Sequence, residues 1–101
     1  MEEKNQKVIV RADRAGVFYG VIVESEPLGD KLKVRMKDVR RLWYWNGAAS
    51  LSQLATEGVT KPDDCKFTVT VESETIVGVI EILPCTPKAI KSIESVKVWK
   101  Q

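Results

Sequence analysis

Arginine beside an aromatic ring is a combination that binds anions carrying flat bases. The stretch Val39–Gly58, VRRLWYWNGAASLSQLATEG, holds Arg40 and Arg41 next to Trp43, Tyr44 and Trp45. A guanidinium grips phosphate oxygens in a bidentate fork and keeps its proton at any working pH. An aromatic face lets a base stack, worth ~1–3 kcal/mol per base. Arg11 and Arg14 join Arg40 and Arg41 if the first and third strands are neighbours. Phe18 and Tyr44 are the stacking candidates, and Arg11, Arg40 and Arg41 the phosphate candidates. The same residue types also build cores and subunit interfaces, and Trp43 and Trp45, alternate residues on one strand face, fit that use too. Arg40 and Arg41 point to opposite faces of their strand. One of them is therefore covered, and a covered guanidinium needs a partner, either a ligand anion or a structural ion pair.

Catalysis has less to work with. The chain has no histidine, so the commonest general base and the commonest metal ligand are missing. A nucleophile needs a base within hydrogen-bond reach, and only carboxylates and lysines remain. Glu72 and Glu74 flank Ser73 in what reads as a solvated turn. Glu81 interrupts an apolar strand and is expected to pair with a basic neighbour across the sheet. There is no glycine-rich phosphate loop. The two cysteines, Cys65 and Cys85, match no ligand spacing. These observations predict a binding protein with no catalytic residues, no metal and no cofactor. The opening MEEKNQK is polar, so no signal peptide is expected and free thiols in a reducing cytosol are, and the apolar runs fall short of the ~18 residues of a membrane span. A net charge of +2 is too mild for a typical nucleic-acid binder.

The elements that must position these residues read as one α+β domain over residues 7–101, after a disordered tail at 1–6. The expected architecture is a curved five-stranded antiparallel sheet with two short helices. Strand one is Lys7–Arg11 and strand two Val17–Ser25, with Gly20 marking a bulge or close backbone approach. A loop at Glu26–Asp30 follows. In strand three Leu32, Val34 and Met36 alternate with Lys31, Lys33, Arg35 and Lys37, the signature of a half-buried strand. The alternation breaks at Asp38 and resumes over Val39–Trp45. Ser50 and Gln53 form a capping box for a helix over Leu51–Glu57, stopped by Gly58. Strand four is Cys65–Val71, Glu72–Glu74 turns the chain, and strand five is Thr75–Leu83. Thr86 and Pro87 open a second helix to Ser95, and Val96–Trp99 closes the fold as an extended tail.

The segments AGVFYG, RRLWYWNGAASLSQLATEG, CKFTVTV and VIEILPCT with KVWK together resemble small bacteriophage and prophage proteins. Within that group the chain is most similar to the phage anti-Thoeris sponges of the first-described kind, from about Val8 to Lys100. The resemblance implies a hexamer of α+β protomers in the host bacterial cytoplasm. It implies binding, without cleavage, of the glycocyclic ADP-ribose signal that TIR-domain proteins make. Some members of that group also bind cyclic di- and trinucleotides of the cyclic-oligonucleotide defence pathway at a separate site. Arg11 and Arg40 match the ligand-holding arginines by position, and Lys88 and Lys91 stand where further phosphate partners are expected. A lysine in place of a family arginine would lose the bidentate grip. Three rival readings stay open: a phage structural module with Trp43 and Trp45 in a protein interface, a single-stranded nucleic-acid binder tracking along Lys31–Lys37, and an enzyme degrading the same messengers through Glu72, Glu74 or Glu81.

Overall fold

The computed structural model describes residues 6–100. The expected tail at 1–6 therefore lies, except for Gln6, outside the described residues, and Gln6 Nε2 donates to the Cys85 carbonyl at 3.1 Å. Four strands form the sheet: β1 (Val8–Ala12), β2 (Gly16–Leu28), β3 (Lys31–Tyr44) and β4 (Lys66–Pro84). Every neighbouring pair is antiparallel, and β4 returns to β1, closing a barrel in the order β1-β2-β3-β4. Two helices, α1 (Leu51–Glu57) and α2 (Pro87–Ser95), pack on its outside.

The α+β class and the antiparallel pairing follow the sequence pattern, but the strand count is four, not five. Glu72–Glu74 is not a turn. It runs straight through β4, with Ser73 opposite Lys37 and Glu74 opposite Met36. Its polarity reflects a strand edge in solvent, not a reversal of the chain. The β2–β3 loop is likewise shorter than expected. Pairing runs out to Leu28 opposite Lys31, leaving Gly29 and Asp30 as a two-residue turn with Gly29 at φ +66°, a value glycine adopts without steric cost. The interruption at Asp38 is a bulge, with Asp38 itself at φ +53°. Gly20 lies against it: a Cβ there would meet the Lys37 carbonyl oxygen at 2.9 Å. Glycine is needed at that point because two backbones nearly touch.

Strand alternation splits the buried residues into two cores. Val10, Phe18, Val34, Met36, Val39 and Ile76 point into the barrel. Ile9, Tyr19, Leu42 and Phe67 point outward, under the helices, where Leu54 and Ala55 of α1 and Ala89 and Ile93 of α2 cover them. Both helices start on side-chain caps. Ser50 Oγ accepts from Gln53 N at 3.1 Å, while Gln53 Oε1 accepts from Ala49 N at 2.8 Å. Thr86 Oγ1 accepts from Ala89 N at 3.1 Å. Helices this short do not hold themselves and depend on docking. Among the described residues no helix is long and apolar enough to cross a membrane.

Candidate functional site: an aromatic face beside a covered arginine

The pairing of β3 with β4 is irregular from Arg40 to Tyr44, and in this stretch Trp43, on the face opposite the buried Leu42, stands 62% exposed. The tail after α2 comes alongside: Val98 pairs in parallel with Phe67, and Trp99 N–H donates to the Phe67 carbonyl at 2.8 Å. This brings Trp99 onto Trp43, with ring planes 3° from parallel and centroids 6.5 Å apart. Lys66, opposite Tyr44 in the ladder, holds its Nζ 5.5 Å from the Trp99 ring centroid. Tyr44 and Val98 are exposed as well. The result is an open apolar platform with an ammonium at its edge, suited to a flat ring carrying negative charge.

Trp43 and Tyr44 were visible in the sequence as aromatic binding or interface residues. Trp99 and Lys66 were not. The signal that could have found them is the alternation of KVWK, which predicts an extended tail, but which strand it joins is a long-range fact. Trp45 belongs to the other side, partly buried against the helix-covered core.

The remaining candidates do not converge. Arg40 is only 6% exposed. Its Nε donates to the Thr68 carbonyl at 2.8 Å, Nη1 to the Ile93 carbonyl at 2.9 Å and Nη2 to the Val96 carbonyl at 2.6 Å. Its guanidinium also lies 5.4 Å from the Phe67 ring centroid. The covered arginine thus has neither a ligand anion nor an ion pair. It donates to main-chain carbonyls at the end of α2 and on β4, adding to the Val96 N–H bond that Ile93 O already accepts, and this leaves no fork for phosphate. Burial pushes its pKa down, and the nearby Glu94 carboxylate opposes that shift.

Arg41 is the outer member, on the opposite face as expected. Its guanidinium lies 4.6 Å over the Phe18 ring. Nη1 donates to the Ala15 carbonyl at 2.7 Å, and Nη2 approaches Glu74 at 3.5 Å. It remains 39% exposed and is the one arginine of the pair that a ligand can reach. Phe18 is fully buried in the barrel, so it has no face for a base. Arg11 sits opposite Glu81 and pairs with it at 2.8 Å, the cross-strand partnership expected of Glu81. Lys88 and Lys91 do come together, in a hollow of about 360 Å³ with Thr60, Ser92 and Ser95, but Arg41 lines a different one. The hydroxyls there are engaged internally: Ser92 Oγ accepts from Val59 N at 2.9 Å and Ser95 Oγ donates to the Ser92 carbonyl at 2.7 Å.

A second polar group ties α2 to the barrel. Tyr19 Oη donates to Glu94 at 2.7 Å, and Lys7 Nζ reaches the same carboxylate at 3.2 Å. Burial, then the contact with Glu94, raises the Tyr19 phenol far above its usual range. The Tyr19 hydrogen bond in turn holds the Glu94 carboxyl below its ordinary value. Cys65 and Cys85 are both buried free thiols, and burial pushes Cys85 up to about 11. Among the described residues, no three His, Cys, Asp or Glu side chains gather in a metal-binding cluster.

Fold and face define a small closed antiparallel barrel, capped by two helices, that presents an aromatic platform. The chain belongs to the family described as Domain of unknown function (DUF6948), whose model matches residues 5–93. The matched segment contains Trp43 and Lys66 and ends before Trp99. No curated protein and no solved structure matches the chain.

Proposed function

We propose that this protein is a sponge: it binds an anionic, base-bearing second messenger and withholds it intact from a bacterial defence effector. The resemblance to anti-Thoeris proteins directs the ligand class to glycocyclic ADP-ribose, with cyclic di- and trinucleotides as further candidates. One observation carries the reading: Trp43 stands 62% exposed and parallel to Trp99, with Lys66 at the edge. A base stacks on such a face, and a phosphate is drawn to the Lys66 ammonium at its edge. Sequestration needs no nucleophile and no proton transfer. It needs affinity, which aromatic and cationic groups supply.

A thermal-shift screen of the full chain against glycocyclic ADP-ribose, ADP-ribose, cyclic dinucleotides and cyclic trinucleotides tests this. Saturation at ~100 times Kd stabilises the folded state by about 2.7 kcal/mol. The expected result is a rise in Tm with one of these ligands and its chemically intact recovery after heating. A ligand recovered as a hydrolysed product makes the protein an enzyme. No shift with any of them moves the aromatic platform to the second reading, a permanent protein interface. The apolar flank that Val98 gives the tryptophans supports that alternative.

A further inference from the structure

β4 is 19 residues long, and β3 pairs with it along most of that length. Its other edge is covered only at the ends. Near the start Val98 pairs with Phe67. Toward the finish Asp13 N–H donates to the Gly78 carbonyl at 2.7 Å, and β1 takes over from Val79 to Pro84. Between these limits, no described residue pairs as a strand with Thr68–Val77 on that second edge. This segment, TVTVESETIV, contains no lysine, proline or glycine, and seven of its ten residues are β-branched. Natural sheets guard their edges with charged side chains, proline or bulges. The free edge of β2 carries Glu24, Glu26 and Pro27 before its two-residue turn. The edge of β4 carries only Glu72 and Glu74, so the charges that guard it also restrict how it can pair.

We infer that Thr68–Glu74 of β4 is the pairing edge of a twofold dimer, its occupant the same segment of a second copy. The charge pattern selects the register. An antiparallel pair of identical strands centred on Glu72, Ser73 or Glu74 sets glutamate directly against glutamate, which is destabilising. Centred on Val71, the pair runs seven residues. Val71 then meets Val71, Val69 meets Ser73, Thr70 meets Glu72 and Thr68 meets Glu74, with no like charges opposed. Centres nearer either end are cut short by Val98 or by β1. Val69 and Val71 are 47% and 40% exposed, and they flank an open groove of about 350 Å³ whose walls include Val39 and Arg41. The second copy's valines fill that groove, and its backbone supplies the missing ladder. The contact is self-complementary, as a twofold interface requires. It adjoins the aromatic platform where Val98 pairs with Phe67 but includes neither tryptophan nor Lys66, so its failure leaves the ligand reading intact.

Analytical ultracentrifugation of the full chain and three variants tests the contact. Wild type is expected to sediment as a dimer or an even multiple of one. Val71→Lys and Val71→Glu each place like charges at the centre, and each is expected to halve the assembly mass. An equimolar mixture of the two restores it, while Val23→Lys, at similar exposure on β2, leaves it unchanged. Wild type sedimenting as a monomer, or Val71→Lys keeping the wild-type mass, overturns the proposal. Should the charged variants lose their fold by circular dichroism, Val71→Cys decides. Oxidation is expected to give a disulfide-linked dimer in high yield, since the native thiols are buried, and persistence of the monomer overturns the proposal.

Discussion

Arg40 and Arg41 are adjacent in sequence, yet they serve two regions of opposite character. Arg40 lies under the helices, where its donors meet three carbonyls and its charge is sealed from water. Arg41 lies at the rim of the barrel, half-open, over Phe18. On the helix-covered side the buried polar groups are paired, Arg40 with three carbonyls and Tyr19 with Glu94. The opposite side leaves a tryptophan pair, several valines and a strand edge in solvent. A fold that satisfies one side so fully and leaves the other open concentrates stability in the first, and the recognition proposed for this protein falls to the second.

The largest expected effect falls on the covered side. Arg40→Met removes three hydrogen bonds and leaves buried carbonyls unsatisfied, so a loss of about 3 kcal/mol or more is expected in urea unfolding. Arg40→Lys is expected to recover little, because one ammonium cannot span the end of a helix and a strand as the planar fork does. A loss below about 1 kcal/mol for Arg40→Met would place the hold on α2 elsewhere. Next in size is Gly58→Ala. Gly58 ends α1 at φ +81°, and a Cβ there collides with Ser92 Cβ of α2. Strain and the forced separation of the helices are expected to cost ~2 kcal/mol, read as a lower urea midpoint.

A smaller effect separates the two sides by pH. The hydrogen bond from Tyr19, with help from Lys7, keeps the Glu94 carboxyl below its usual 4.5. A carboxylate depressed on folding stabilises the protein above its unfolded pKa, and that contribution is lost as pH falls through the folded value. Wild type is therefore expected to lose stability more steeply than Tyr19→Phe between about pH 5 and pH 3. At neutral pH, Tyr19→Phe costs about 1 kcal/mol. Parallel pH profiles for the two proteins would remove Glu94 from the account.

What was legible in the sequence was local. Both helices stand at the expected residues because their starts are written in single side chains, Ser50 and Thr86, and their docking faces in adjacent aliphatics. The inward set of β3 followed from alternation. Long-range pairing was not legible. Glu72–Glu74 resembles a turn because turns and solvent-facing strand edges use the same polar residues, and only the partnership with Lys37 and Met36 tells them apart. The same limit applied to the site. That one arginine of the pair is covered follows from strand geometry; that its partners are the carbonyls of a helix more than fifty residues away does not. Phe18 lost its stacking role because closure of the barrel buries it, and Trp99 gained one because the tail folds back beside Phe67.

On the proposed reading the open aromatic side binds ligand and contributes little to holding the fold. Trp43→Ala separates the two roles, with urea unfolding and ligand titration run on the same preparation, using whichever messenger stabilises the wild-type chain. An exposed side chain of this kind is expected to change stability by no more than about 0.5 kcal/mol. Loss of one stacked base, ~1–3 kcal/mol, is expected to weaken binding by roughly five-fold to more than a hundred-fold. A variant that binds as tightly as wild type, or one that unfolds on losing Trp43, contradicts the account.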